Sequence, residues 1–234
     1  YIRAKISSED RSQLIELEIN SNKANRAKVN GNPVRSQREI LGICTSITFS
    51  PEDLDLVRGD PSERRQFLDH LITQRNPRLA GVIADYERAL KQRNALLKSR
   101  APLTSLEPWD NHVLTFGAEV IAGRIELIEE LSPFFTSAYK NLAEKKQAAI
   151  SYKSSVEGLS KNRETNKKLL ANKLTEVRDQ ERERGITLVG PHRDDLQLNL
   201  GDHLVKGYAS HGESWSIALS LRLASFQLLQ STGA

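Results

Sequence analysis

The chain has 234 residues, 38% of them hydrophobic and 27% charged, and a net charge of +4. A chain of that length buries a sizeable core in one or two domains, and its recurring apolar clusters exclude full disorder. A single cysteine, Cys44, excludes a disulfide framework and any multi-cysteine zinc site.

Residues 1–6 alternate and predict a strand, 7–10 read as a turn, and 14–19 alternate again as a second strand. Residues 25–29 predict a third strand closed by Asn30-Gly31, a strong hairpin signal. A short helix is expected near 36–41. Residues 43–49 are rich in β-branched side chains and predict a buried strand, with Cys44 reduced inside it. Ser50-Pro51-Glu52-Asp53 breaks that run. From there the period turns helical. Asp60 reads as an N-cap, Pro61 as the first turn and Glu63 as the partner in a capping box. The helix over 61–74 should bury Phe67, Leu68, Leu71 and Ile72. Asn76-Pro77 opens a second helix to about residue 97, with Leu79, Val82, Ile83, Tyr86, Leu90 and Leu97 as its apolar positions. Residues 100–108 read as a connector, 109–131 as a third helix, and Ser132-Pro133 as the start of a fourth. Residues 148–152 return to a strand. A long polar helix is expected over 162–183, ended by Gly185, then a short apolar strand over 186–189. Residues 196–200 alternate, Gly201-Asp202 turns, 203–208 pairs back, and a last helix runs from Ser210 to about 230.

The order is that of an α+β fold: antiparallel sheet in 1–54, an all-helical insert in 55–147, and short strands with a final helix in 148–234. The first residues mix Arg3 and Lys5 with Ser7 and Ser8, unlike a signal peptide, so the cytoplasm is the expected compartment and no membrane is expected. The chain starts at Tyr1 and has no methionine, which reads as part of a longer protein.

Charge is unevenly spread. Residues 64–100 hold nine basic and three acidic side chains. Such an excess is a candidate phosphate-backbone surface, and equally a solvated helical face. Within it, Arg65, Arg75, Arg78 and Arg93 are the best DNA-contact candidates, Arg75 and Arg78 at the tip of a tight helical hairpin. Ser210-His211-Gly212-Glu213 opens the last helix. Its free N–H groups and dipole suit an anion, although an ordinary serine N-cap has the same form. Gly190-Pro191-His192-Arg193-Asp194-Asp195 presents one His, one Arg and two carboxylates; alone it is an incomplete metal site, and a polar loop with an Arg–Asp pair is the plainer reading. The five histidines show no metal-ligand spacing, and no metal site is expected. No G-x-x-x-x-G-K-[ST] loop and no apolar strand ending in Asp-Glu is present, so this stretch alone should not bind ATP tightly or hydrolyse it.

Five runs in register carry a resemblance. They are Phe49-Ser50-Pro51-Glu52-Asp53-Leu54, Gly59 to Asp69, Lys91-Gln92-Arg93-Asn94-Ala95-Leu96-Leu97, Leu188 to Leu196, and Ala209-Ser210-His211-Gly212-Glu213. Together they resemble the bacterial RecF family of DNA replication and repair proteins, across essentially the whole chain. The version Ser-His-Gly-Glu-Ser-Trp-Ser looks actinobacterial. The resemblance implies an ABC-type, SMC-like ATPase lobe with an inserted helical lobe, its Walker A loop before residue 1 and its Walker B strand after residue 234. It implies ATP and Mg in the complete protein, weak DNA-dependent ATPase activity, an ATP-dependent homodimer on gapped or junction DNA, and a RecR-type mediator as partner. Ser210, His211, Gly212 and Glu213 fall where ABC proteins carry Ser-Gly-Gly-Gln, which acts in trans on the partner's γ-phosphate. Ser210 and Gly212 match; His211 and Glu213 depart, which puts their side-chain roles in doubt. Pro51, Glu52, Asp53, His192, Arg193 and Asp194 become candidates for loops on the nucleotide side. A non-enzymatic DNA-binding or interaction module, or a purely structural helical domain, is the competing reading.

Overall fold

The computed structural model describes residues 1–8, 11–41, 43, 46–143 and 146–231. Alternating residues build its first sheet. Strands β1 (Ile2–Ser8), β2 (Arg11–Glu18), β3 (Arg26–Val29) and β4 (Asn32–Pro33) form an antiparallel meander in that order. The register sets Ala4 opposite Ile15 and Glu16 opposite Lys28. Asn30 (φ +52°) and Gly31 (φ +80°) supply the two left-handed residues that a tight hairpin turn requires. Strand β1 continues through Ser7 and Ser8, read above as turn, because their ladder to Ser12 and Arg11 persists. No strand forms over 46–49. The sheet ends at β4 and offers that segment no partner; Ile47 packs on the helical core instead, and Phe49 is 41% exposed. Cys44 lies outside the described residues.

A 3-10 turn, Pro51–Asp53, leads into α1 (Leu54–Arg58), α2 (Pro61–Arg75), α3 (Arg78–Lys98) and α4 (Leu103–Leu142). Helix α2 buries Phe67, Leu68, Leu71 and Ile72, as the period predicts. Its capping box does not form, since the Glu63 N–H bonds the Asp60 carbonyl, not its side chain. The larger correction is α4. One helix of 40 residues runs through Pro108 and Pro133, where a connector and two helices were expected. An interior proline costs about 3 kcal/mol. Leu127, Ile128 and Leu131 before Pro133 and Phe135, Ala138 and Tyr139 after it are all buried. At about 1.5–3 kcal/mol per large apolar side chain, that face outweighs the proline.

Beyond α4 come β5 (Ala148–Lys153), α5 (Arg163–Glu176), α6 (Arg178–Arg184), β6 (Asp195–Leu200), β7 (His203–Leu204) and α7 (His211–Ser231). The expected long helix starts at an Asn162 cap, whose side chain accepts from the Thr165 N–H at 3.0 Å, but it breaks at Val177. Gly185 (φ +67°) ends α6. Residues 186–189 are not a strand, because side chains satisfy their backbone. The Thr187 N–H donates to Asn94, the Leu188 N–H to Glu181, and the Thr187 carbonyl accepts from Arg193. One core joins α2, α4, β5, β6 and α7 through residues such as Leu68, Leu131, Phe135, Ile150, Leu196 and Leu221. Among the described residues, no helix is long and apolar enough to cross a membrane.

Candidate functional site

The N-terminus of α7 is closed by a reciprocal capping box. The Ser210 N–H donates to Glu213 Oε2 (2.8 Å) and the Glu213 N–H to Ser210 Oγ (3.3 Å). Lys146 pairs with Glu213 at 2.8 Å, and that hydrogen bond, with those of Ser210, holds the carboxyl down at about 2. Arg58 Nε donates to Ser214 Oγ (3.2 Å), and the Ser214 hydroxyl donates to the Ser210 carbonyl. The Trp215 indole N–H donates to His211 Nε2 at 2.9 Å, and Phe49 meets Trp215 edge-on. Helix geometry leaves the N–H groups of His211 and Gly212 without intrahelical acceptors at the positive end of the dipole. Ser210, His211 and Gly212 are exposed, and a Cβ added at Gly212 would meet nothing within 4 Å. This edge is open to an anion approaching from outside the chain. Among the described residues, no group of three or more His, Cys, Asp or Glu side chains is placed to hold a metal ion.

The Pro51–Asp53 turn lies against the same helix. Asp53 is buried, takes Arg222 of α7 at 2.5 Å and accepts the Ser50 N–H at 2.9 Å. The Arg222 guanidinium also sits 5.5 Å from the centre of the Phe67 ring. Glu52 is held below its ordinary pKa by hydrogen bonds from Ser50 and from its own backbone.

The 190–195 turn is clamped elsewhere, onto α2, α3 and α4. Arg64 grips Asp195 through two bonds (2.8 and 2.9 Å), Arg65 donates to the Asp194 carbonyl (3.0 Å), and Arg124 donates to the Pro191 carbonyl (2.7 Å). Asp194 is buried and accepts from the Tyr152 hydroxyl (2.6 Å); burial raises its pKa. Arg193 reaches the Thr187 carbonyl. His192 bonds Tyr86 through Nδ1 (2.6 Å) and the Thr187 carbonyl through Nε2 (3.1 Å). A carbonyl only accepts, so Nε2 carries the proton and Nδ1 accepts from Tyr86. Burial is the main cause that pushes His192 down to about 4. The folded state therefore holds the neutral ring. Its contribution is complete above the ordinary histidine pKa of about 6.5 and is lost as the pH falls through about 4. That window is worth on the order of 3 kcal/mol. Urea unfolding from pH 7 to pH 4 should show a steep loss that flattens in His192→Gln, which cannot titrate.

The chain is 50% identical, over 99% of its length, to the DNA replication and repair protein RecF of Streptomyces avermitilis. The similarity to RecF runs along nearly the whole of this chain. The chain spans 65% of the length of that curated relative. No family model matches it. Two solved structures share its fold. RecF-ATPrS, described as the recombination mediator protein in the RecFOR pathway, superposes with a TM-score of 0.92 at 28% identity, covering 99% of this chain and 64% of that one. RecF-ATP, described in the same words, gives 0.91 at 27%, covering 99% and 63%.

Of the arginines read as DNA contacts, Arg93 is withdrawn. It is fully buried and bonds Asp110 (2.7 Å), Glu181 (2.6 Å) and Thr187 (2.8 Å), so it has no surface to offer a phosphate. Arg75 and Arg78 flank the α2–α3 connection as expected, but each is paired with a carboxylate of α4, Glu130 and Glu119 respectively. Arg65 is half-buried. The sequence reading missed Arg222, Lys146 and Arg58 as the groups that hold α7 and its N-terminal turn. Arg222 had a signal: it is a lone cation on a helix of small and apolar residues.

Proposed function

We propose that this chain is the part of an ATP-dependent RecF-type recombination mediator that carries the signature helix, with 1–54 and 148–234 in the ATPase lobe and 55–147 as the inserted helical lobe. The complete protein binds ATP with Mg, dimerises around two nucleotides, holds DNA at gaps or strand junctions, and works with a RecR-type mediator in the cytoplasm. The observation that carries this reading is the 50% identity to RecF over nearly the whole chain, and the likeness to ATP-bound RecF supports it. Bound ATP supplies the phosphates that join two copies. The residues of this chain present the backbone N–H groups of His211 and Gly212, keep Ser210 fixed as the cap, and neutralise Glu213 with Lys146, which spares an incoming phosphate a bare carboxylate. DNA contact rests on the α2–α3 connection, with Arg75 and Arg78.

Ser210→Arg in the complete protein tests the trans assignment. Monomer affinity for ATP should stay within about twofold, while ATP-dependent dimers disappear in light scattering. Loss of monomer binding would mean that α7 reads its own nucleotide. Absence of ATP-dependent dimers in the unsubstituted protein would overturn the reading as a whole.

A further inference from the structure

We propose that the cleft between α2 and α3 is a docking site for a short partner peptide segment that carries a carboxylate beside an apolar side chain, with Arg65 as its anchor. The cleft has a volume of about 510 Å³, within the range of about 300–1,000 Å³ that suits a small ligand or a few residues of chain. Ile83, Leu90 and Val120 supply its apolar lining, and exposed Glu63 and Glu87 stand at its rim.

The deeper polar groups of the cleft are committed. Asp69 is held by Arg124 through two bonds of 2.8 Å, and Tyr86 is held by His192. Arg65 differs. One N–H goes to the Asp194 carbonyl, and among the described residues no carboxylate lies within ion-pair distance of it. Arg64, Arg75, Arg78, Arg93 and Arg124 each have one. Burial first, and the neighbouring Arg124 charge second, hold Arg65 below the ordinary guanidinium pKa, against the opposing attraction of Asp195, Asp69 and Asp194, none of which reaches it as an ion pair. An incoming carboxylate would complete a charge-assisted, two-bond pair.

The rim decides which anion. Glu63 and Glu87 repel a triphosphate or a DNA backbone, which bring several negative charges into the same space. A peptide brings one, and its backbone N–H groups can donate to those two glutamates. The apolar lining takes the adjacent side chain. This inference does not rest on the nucleotide reading of α7.

The test titrates the isotope-labelled protein with the blocked tetrapeptide Ac-Ala-Leu-Glu-Ala-amide and its Gln counterpart, followed by NMR. Shift changes should centre on Arg65 and Leu90. The Gln peptide, and the Arg65→Gln variant with the Glu peptide, should bind at least about tenfold more weakly, with Arg65→Lys in between. If Arg65→Gln lowers the melting temperature, Leu90→Lys in the lining takes its place with the same expectation. Absence of shifts at millimolar peptide, shifts centred elsewhere, or equal binding of the two peptides would overturn the proposal. So would a short oligothymidylate or ATP that binds at Arg65 more tightly than the Glu peptide, which would reassign the cleft to phosphate.

Discussion

Arg93→Ala should destabilise the chain by about 3–5 kcal/mol, the cost of leaving a buried carboxylate without its cation. Arg93 has no exposed surface and ties three helices together. Its Nε bonds Asp110 of α4, its Nη2 bonds Glu181 of α6, and its Nη1 bonds Thr187 beyond α6. The two carboxylates are not equally dependent on it. Asp110 keeps a second cation, Arg178, at 2.9 Å. Glu181 is fully buried and, among the described residues, keeps only the Leu188 N–H, a hydrogen bond without a charge. Most of the loss should therefore trace to Glu181. Urea unfolding of Arg93→Met, Glu181→Met and the pair together separates the contributions. The double variant should recover a large part of the single losses, because an apolar pair of similar volume replaces a desolvated ion pair at little cost. Arg93→Lys should fall in between, since the three donors of an ammonium share one nitrogen and cannot span acceptors met by Nε, Nη1 and Nη2. A loss below about 1 kcal/mol for Arg93→Ala would show that the network contributes nothing beyond packing.

Arg93 also shows where sequence reading stops. It sits in a basic run, and a basic run looks the same whether it faces water or a buried carboxylate. Asp110 and Glu181 are 17 and 88 residues away, and nothing local announces them. The same limit applies to Pro133. Proline is a local stop signal, but the apolar face on both sides of it belongs to a core assembled from α2, β5, β6 and α7. Residues 186–189 are apolar enough for a strand, yet their hydrogen bonds go to Asn94 and Glu181, again remote. What was legible rests on neighbours in sequence: the Asn30-Gly31 turn, the buried face of α2, the Gly185 stop of α6, and the Ser210–Glu213 start of α7. The start of α7 could be located from the Ser210-His211-Gly212-Glu213 tetrapeptide. The groups that hold it, Lys146, Arg58 and the Arg222–Asp53 pair, come from separate parts of the chain and needed the fold.

Gly190→Ala should cost about 2–6 kcal/mol, from the backbone it would strain and from one hydrogen bond it would break. Gly190 has φ +129°, a conformation that residues with a Cβ rarely adopt. Holding alanine there costs about 1–3 kcal/mol. The new Cβ would also lie 2.6 Å from the Tyr86 hydroxyl and 3.4 Å from His192 Nδ1, the two atoms that form the 2.6 Å bond. Tyr86 cannot swing aside easily. It is buried with Ala89 and Val113, and its ring lies close against Gly117. Either the bond breaks, leaving a buried donor and acceptor at a further cost of about 1–3 kcal/mol, or the turn moves away from α3. Tyr86→Phe removes the hydroxyl and with it most of the clash. In a double-mutant cycle, Gly190→Ala with Tyr86→Phe should therefore lose less than the sum of the two single losses, by roughly 1 kcal/mol or more. The His192 ring, freed from burial against Tyr86, should titrate nearer the ordinary value of about 6.5 in Gly190→Ala, which NMR of the imidazole can follow. Additive losses with an unmoved His192 titration would place the whole cost in the backbone of Gly190 and leave the Tyr86 contact without a part in holding the turn.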